Sequence, residues 1–200
     1  MNPKHHAVIV SAARTPMGSF NGSYSSIPAT RLGSLAIAEA VKRIQLPGDR
    51  IEEVLMGCVL SAGLGQAPAR QAAIGAGLPH SVGAVTVNKV CGSSLHAVMM
   101  ATRAIALGEA NVIVAGGMEN MTRAPFLLEK ARQGYRLGHG ELTDSLIKDG
   151  LWDVYNQFHM GNAGELCATK YRLSRQEVDD FAMESYSRAR DAIARGAFKK

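Results

Sequence analysis

Cysteine is scarce in this sequence: Cys58, Cys91 and Cys167 are the only three, and none stands in CxxC spacing. Three thiols cannot all pair with one another, which argues against a disulfide scaffold or a zinc site and for a reducing compartment. The His5-His6 pair is too short to bind a metal, so no metal site is expected. No apolar run approaches membrane-spanning length, and Met1 to His6 lacks the apolar segment of a signal peptide. A cytoplasmic protein with no membrane partner is the expectation. Long Lys/Arg runs are also missing. The formal charge of +5 is spread through the chain and aromatics make up only 6%, which argues against nucleic acid as a partner. A mildly basic surface still suits a phosphate-bearing ligand. The glycines form no GxxxxGK[ST] loop, so nucleotide hydrolysis is unsupported.

What is plentiful is apolar and small. Hydrophobic residues make up 46% of the 200 and glycine contributes 21, the profile of a globular chain with a sizeable core. Apolar runs of strand type occur at Ala7 to Val10, Ile51 to Leu60, Val82 to Val87 and Asn111 to Ala115. Helical periodicity separates them, over Thr30 to Gln45, Gln71 to Ala76 and Leu95 to Leu107. Continuous apolar strands alternating with helices predict an α/β fold. The alternation stops after residue 121, and residues 122–165 mix glycines with Arg123, Lys130, Arg132 and Arg136. Two helices follow. The first is expected over Gly164 to Tyr171. The second starts at Ser174, with Glu177 completing a capping box, and ends at Gly196.

The chemistry concentrates between the third strand and the helix after it. Val87-Asn88-Lys89-Val90-Cys91-Gly92-Ser93-Ser94 puts a cysteine at a strand-to-helix turn. Gly92 permits a sharp bend, and Ser93 or Ser94 is expected to cap the first helical amides. Free N–H groups and the positive end of the helix dipole favour a thiolate there and offer donors to an oxyanion. Cys91 is therefore the candidate nucleophile. Cys58 and Cys167 fall inside regular elements and are expected to be inert. Glu119, directly after Gly116-Gly117-Met118, is either a charge-bearing site residue or a structural hydrogen-bond acceptor, the second being favoured.

The elbow motif resembles that of the thiolase family, V-N-x-x-C-G-S-[GS]-[LM]-x-A-V, with Ser94 where glycine is commoner. Further matches run along the chain. They are Ser11 to Gly22, Ala62 to Ala72 with Ala67 in place of asparagine, Gly116 to Met121, and Leu151 to Gly161. The resemblance implies the N-terminal half of the thiolase fold, a mixed sheet sandwiched by helices over residues 1–121. Residues 122–200 would then be a partial loop domain with tetramerisation and pantetheine loops. It also implies that Leu151, His159 and Met160 contact the pantetheine arm of coenzyme A.

The implied function is acyl transfer through a cysteine thioester, with two acetyl-CoA condensing to acetoacetyl-CoA or the reverse thiolysis. Coenzyme A thioesters are then substrates, no cofactor is required, and the whole protein is a homo-oligomer, a dimer of dimers. The stretch Asp144 to Leu151 is more similar to the short-chain members than to the medium- and long-chain 3-ketoacyl-CoA thiolases. A ketosynthase-like enzyme on carrier-protein substrates is a weaker alternative. The family's catalytic histidine lies in a G-H-P motif and its second cysteine in a C-x-G motif, and neither motif occurs here. His96 stands five residues from Cys91, about 140° round a helix, and points away from it. The C-terminal half is therefore expected to be absent and the chain inactive without it. A non-catalytic half that binds coenzyme A or a partner chain is the remaining alternative.

Overall fold

The computed structural model describes residues 6–198; the His5 reading lies outside them. The contacts divide the chain into two compact units, one running to Gly150 and one beginning at Leu151. Residues 122–150, expected with the loop domain, fall in the first unit.

The first unit is organised by a parallel sheet of β1 (Glu53–Gly57), β2 (Gly83–Val87) and β3 (Ile113–Gly117), in the order β2-β1-β3. Every residue of β1 after Glu53 is buried, as expected of a central parallel strand covered on both faces. Its alternate side chains serve two cores. Val54 and Met56 pack with Ala29 and Ile37 of α1 (Ala29–Arg43) and with Ala69, Ala72 and Ala73 of α2 (Pro68–Gly75). Leu55 packs with Val87 and with Ala97 and Ala101 of α3 (Ser93–Leu107). The α/β expectation is met by helices on both faces. The antiparallel member that a mixed sheet requires is not among the described strands of this sheet.

Two expectations are corrected. Ala7 to Val10 is not a strand, and Val8, Ile9 and Val10 are 75%, 82% and 66% exposed. Their β-branched composition was legible, but composition supplies no edge to pair with. The chain beside them is tied to a helix instead, through Ser11 Oγ donating to Ala40 O at 2.7 Å and Arg43 Nη1 donating to Ala12 O at 2.8 Å. The second correction concerns length. Val90–Leu107 averages a hydropathy of 1.3 over 18 residues, enough by length and composition to cross a membrane. His96, Thr102 and Arg103 break the run without lowering its mean far enough. In this fold the stretch is the elbow and a helix packed on the sheet.

Short helix α2 begins after a strained residue. Ala67 sits at φ +48°, in the left-handed region that costs an L-residue about 1–2 kcal/mol and that asparagine tolerates better. Asparagine is also what the resembling motif carries there. Ala67→Asn is accordingly expected to stabilise the chain by about 0.5–1 kcal/mol, read as a raised urea midpoint at unchanged m-value. A lowered midpoint would contradict the strain argument.

Beyond the sheet, β4 (Phe126–Leu127) and β5 (Thr143–Asp144) form a small antiparallel pair. Ser145 beside them is buried, its hydroxyl donating to Pro125 O at 2.6 Å. The second unit opens with a hairpin of β6 (Trp152–Asp153) and β7 (Phe158–His159), followed by α4 (Met160–Tyr171) and α5 (Arg175–Ala194). The expected capping box is present: Glu177 N donates to Ser174 Oγ at 3.2 Å, and Ser174 N donates to Glu177 Oε2 at 2.8 Å. The Ser174 N–H, together with the Ser174 hydroxyl donating to Glu177 Oε2 at 2.8 Å, holds the Glu177 carboxyl below its ordinary pKa.

Candidate active site

The three strands end level with one another, Gly57 opposite both Val87 and Gly117. The chain leaves β2 at this edge and turns through Asn88 to Gly92 into α3. The turn is held by its own short bonds. Val90 N donates to Asn88 Oδ1 at 3.0 Å, Gly92 N to Lys89 O at 3.0 Å, and Ser93 N to Val90 O at 3.1 Å. Ser93 does not cap the helix as expected. Gly92 is the N-cap residue, with no side-chain cap, and the Ser93 hydroxyl turns back onto the elbow. It accepts from Lys89 N at 2.8 Å and donates to Val90 O at 2.6 Å. One buried hydroxyl thus ties the backbone before Cys91 to the helix after it.

The geometry has a strain signature. Val90 adopts φ +48°, costly for a β-branched residue and found where surrounding bonds over-determine the backbone. Cys91 follows on this bend as an exposed free thiol. The bonds described above use the N–H groups of Lys89, Val90, Gly92 and Ser93, and Lys89 and Cys91 form an isolated backbone bridge. An exposed thiol at the start of a helix is the kind of nucleophile that acyl transfer to sulfur requires.

The other cysteines differ. Cys58, immediately after β1, is buried, and its thiol is pushed up to about 12 by burial first and then by the neighbouring Glu119 carboxylate. Cys167, expected to be inert, is exposed as Cys91 is, but it lies within α4 and not on a strand-to-helix bend. Glu119 proves to be a brace: it accepts from Val59 N at 2.7 Å and Leu60 N at 3.3 Å, holding the turn after β1 against the end of β3. A cavity of about 150 Å³ beside it is lined by Arg14, Thr15, Leu32, Met118 and Glu119, and Cys91 takes no part in it. His96 is not hydrogen-bonded to Cys91; its Nδ1 is buried without a partner. Among the described residues, no group of three or more His, Cys, Asp or Glu side chains converges as a metal site.

The remaining candidates lie in the second unit. The pairing of Trp152 with His159 places Leu151 and Met160 one step beyond the last paired position, at the open end of the hairpin. His159 is the N-cap of α4, with Gly161 N donating to its Nδ1 at 3.0 Å. With Nδ1 accepting in that bond, Nε2 is the ring nitrogen left to donate. The sequence reading named the residue but not this cap, because histidine is not among the usual capping residues.

The chain matches the family described as Thiolase, N-terminal domain, over residues 7–200. It belongs to the thiolase family. It is 55% identical over 198 residues to Acetyl-CoA acetyltransferase 2 of Arabidopsis thaliana, covering 99% of this chain and 49% of that protein. Against the acetyl-CoA acetyltransferase of Cupriavidus necator it is 52% identical over 191 residues, 96% of this chain and 49% of the relative. A probable acetyl-CoA acetyltransferase of Escherichia coli is 50% identical over 192 residues, again 96% and 49%. The chain spans about half the length of these curated relatives. Within the thiolase family the region matched is the one built here around the β2–α3 elbow.

Proposed function

We propose that this chain supplies the acyl-carrying half of an acetyl-CoA acetyltransferase. The observation that carries the reading is the exposed Cys91 thiol on a strained, internally bonded elbow at the start of α3. The Cys91 thiolate attacks the carbonyl carbon of an acyl-CoA, and the Cys91 N–H faces the negative charge that develops on oxygen. The bond from that carbon to the coenzyme A sulfur breaks, and coenzyme A leaves as a thiolate that takes up a proton. A second acetyl-CoA, deprotonated at its methyl carbon, then attacks the acetyl-cysteine and releases Cys91. The deprotonation needs a positioned base, and among the described residues no histidine is hydrogen-bonded to Cys91. Coenzyme A enters and leaves with the substrate, so no resident cofactor is invoked. Exposed Leu137 and Leu142 in the stretch between β4 and β5 suit contact between copies of the whole protein.

The test is to incubate the chain with acetyl-CoA, map acetylated peptides, and follow acetoacetyl-CoA thiolysis with free coenzyme A before and after adding a thiolase C-terminal half. Acetylation at Cys91 and turnover only after addition are the expected results. Acetylation at Cys167 in preference to Cys91 would sink the reading.

His159 gives a separate outcome. Asparagine can keep the acceptor at the position of Nδ1 and hence the cap, while losing the distal donor. Glutamine keeps the donor and loses the cap. In the complemented protein His159→Asn is expected to raise KM about tenfold at nearly unchanged kcat, the pattern of lost uniform binding. His159→Gln should hold KM closer to wild type while lowering the amide-exchange protection of α4. A collapse of kcat in His159→Asn would make the residue catalytic instead.

A further inference from the structure

Gly57 and Gly117 lie under the first turn of α3, and neither has room for a side chain. A Cβ on Gly57 would stand 2.7 Å from Ser94 N, 2.8 Å from Ser93 Cβ and 2.9 Å from Ser93 C. A Cβ on Gly117 would overlap Ser94 Oγ outright and come within 3.0 Å of Ser94 Cβ. Ordinary contacts between such atoms lie at about 3.5–4.0 Å, so a methyl on Gly57 demands a shift of roughly 0.5–1 Å. One on Gly117 demands that Ser94 Oγ swing aside and that Ser94 Cβ still give by about 0.5–1 Å. The helix cannot give way alone. Ser93 is bonded to Lys89 N and Val90 O, so a displaced first turn drags the elbow with it.

We infer that Gly57 and Gly117 are positioning residues for Cys91: the bare ends of β1 and β3 set the depth at which the elbow sits. The inference rests on the reading of Cys91 as the nucleophile. The two glycines differ in a way that separates this role from general packing. Gly57 faces backbone atoms of the helix, which cannot move aside. Gly117 faces chiefly the Ser94 side chain, so removing that side chain should make room for a methyl at residue 117. Ser94 and Gly117 are therefore a size-coupled pair.

The experiment compares initial iodoacetamide alkylation rates at Cys91 and Cys167 within the same molecules, since Cys167 is an exposed thiol in the other unit. Gly117→Ala is expected to change the Cys91/Cys167 ratio at least about fivefold, because a shift approaching 1 Å at a reacting group is worth up to about a hundredfold in rate. Adding Ser94→Gly to Gly117→Ala should return the ratio to within about twofold of wild type. Gly57→Ala should disturb the ratio as strongly, and Ser94→Gly should not repair it. An unchanged ratio in folded Gly117→Ala, or a double variant that fails to recover, overturns the inference. If Gly117→Ala does not fold, the double variant must fold with the wild-type ratio, or the inference falls. A wild-type ratio below one would instead count against Cys91 as the nucleophile, whatever the glycine variants do.

Discussion

Cys91→Ser is expected to reduce acetoacetyl-CoA thiolysis by the complemented protein at least about a thousandfold. Serine keeps the size and the elbow hydrogen bonds but replaces sulfur with a much poorer nucleophile, and among the described residues no base is hydrogen-bonded to this position. Removing an essential nucleophile elsewhere costs several orders of magnitude, because the covalent step has no substitute. Thermal stability should move little, since the Cys91 side chain is exposed and packs into neither core. Retention of more than about a tenth of the rate, with the chain folded, would mean that the acyl group is carried elsewhere.

Glu119→Ala should cost about 2–3 kcal/mol of stability in urea unfolding. Two backbone donors, Val59 N and Leu60 N, lose a charged acceptor, and alanine offers nothing in its place. The loss is discounted from the full charged-bond value because Glu119 is only half-buried. The Cys58 thiol, pushed up to about 12 in part by this carboxylate, should titrate lower in the variant while remaining slow to label because of its burial. Glu119→Gln retains one acceptor oxygen and should recover about half of the lost stability. An alanine variant within about 0.5 kcal/mol of wild type would show that water replaces the brace.

Much of the α/β unit was legible because its signals are local. The periodicity of α1, the apolar centre of β1, and the Ser174–Glu177 box each depend on a few neighbouring residues. The nucleophile was legible for the same reason, since a cysteine followed by glycine at a strand-to-helix turn is a short-range pattern. What escaped depends on partners distant in sequence. Ala7 to Val10 has residues of strand type yet pairs with neither open edge of the sheet, β2 or β3, a choice its own residues do not announce. The turning of Ser93 away from its helix is decided by the left-handed Val90, which no propensity of valine announces. The brace from Glu119 to Val59 spans sixty residues, and only its carboxylate, not its target, was in view.

The level ends of β1, β2 and β3 also bear on how the chain acquires its reactive thiol. The elbow rests on Gly57, continues from Val87 and abuts Gly117, three positions far apart in sequence that meet only after both parallel crossovers have closed. Parallel pairings of this separation form slowly, because loop-closure entropy is spent before the contacts return it. The surroundings of Cys91 are therefore a clock for folding, set by the last strand to dock. In pulsed alkylation during refolding, the Cys91 signature should mature with the slowest phase, after far-UV helicity has already returned.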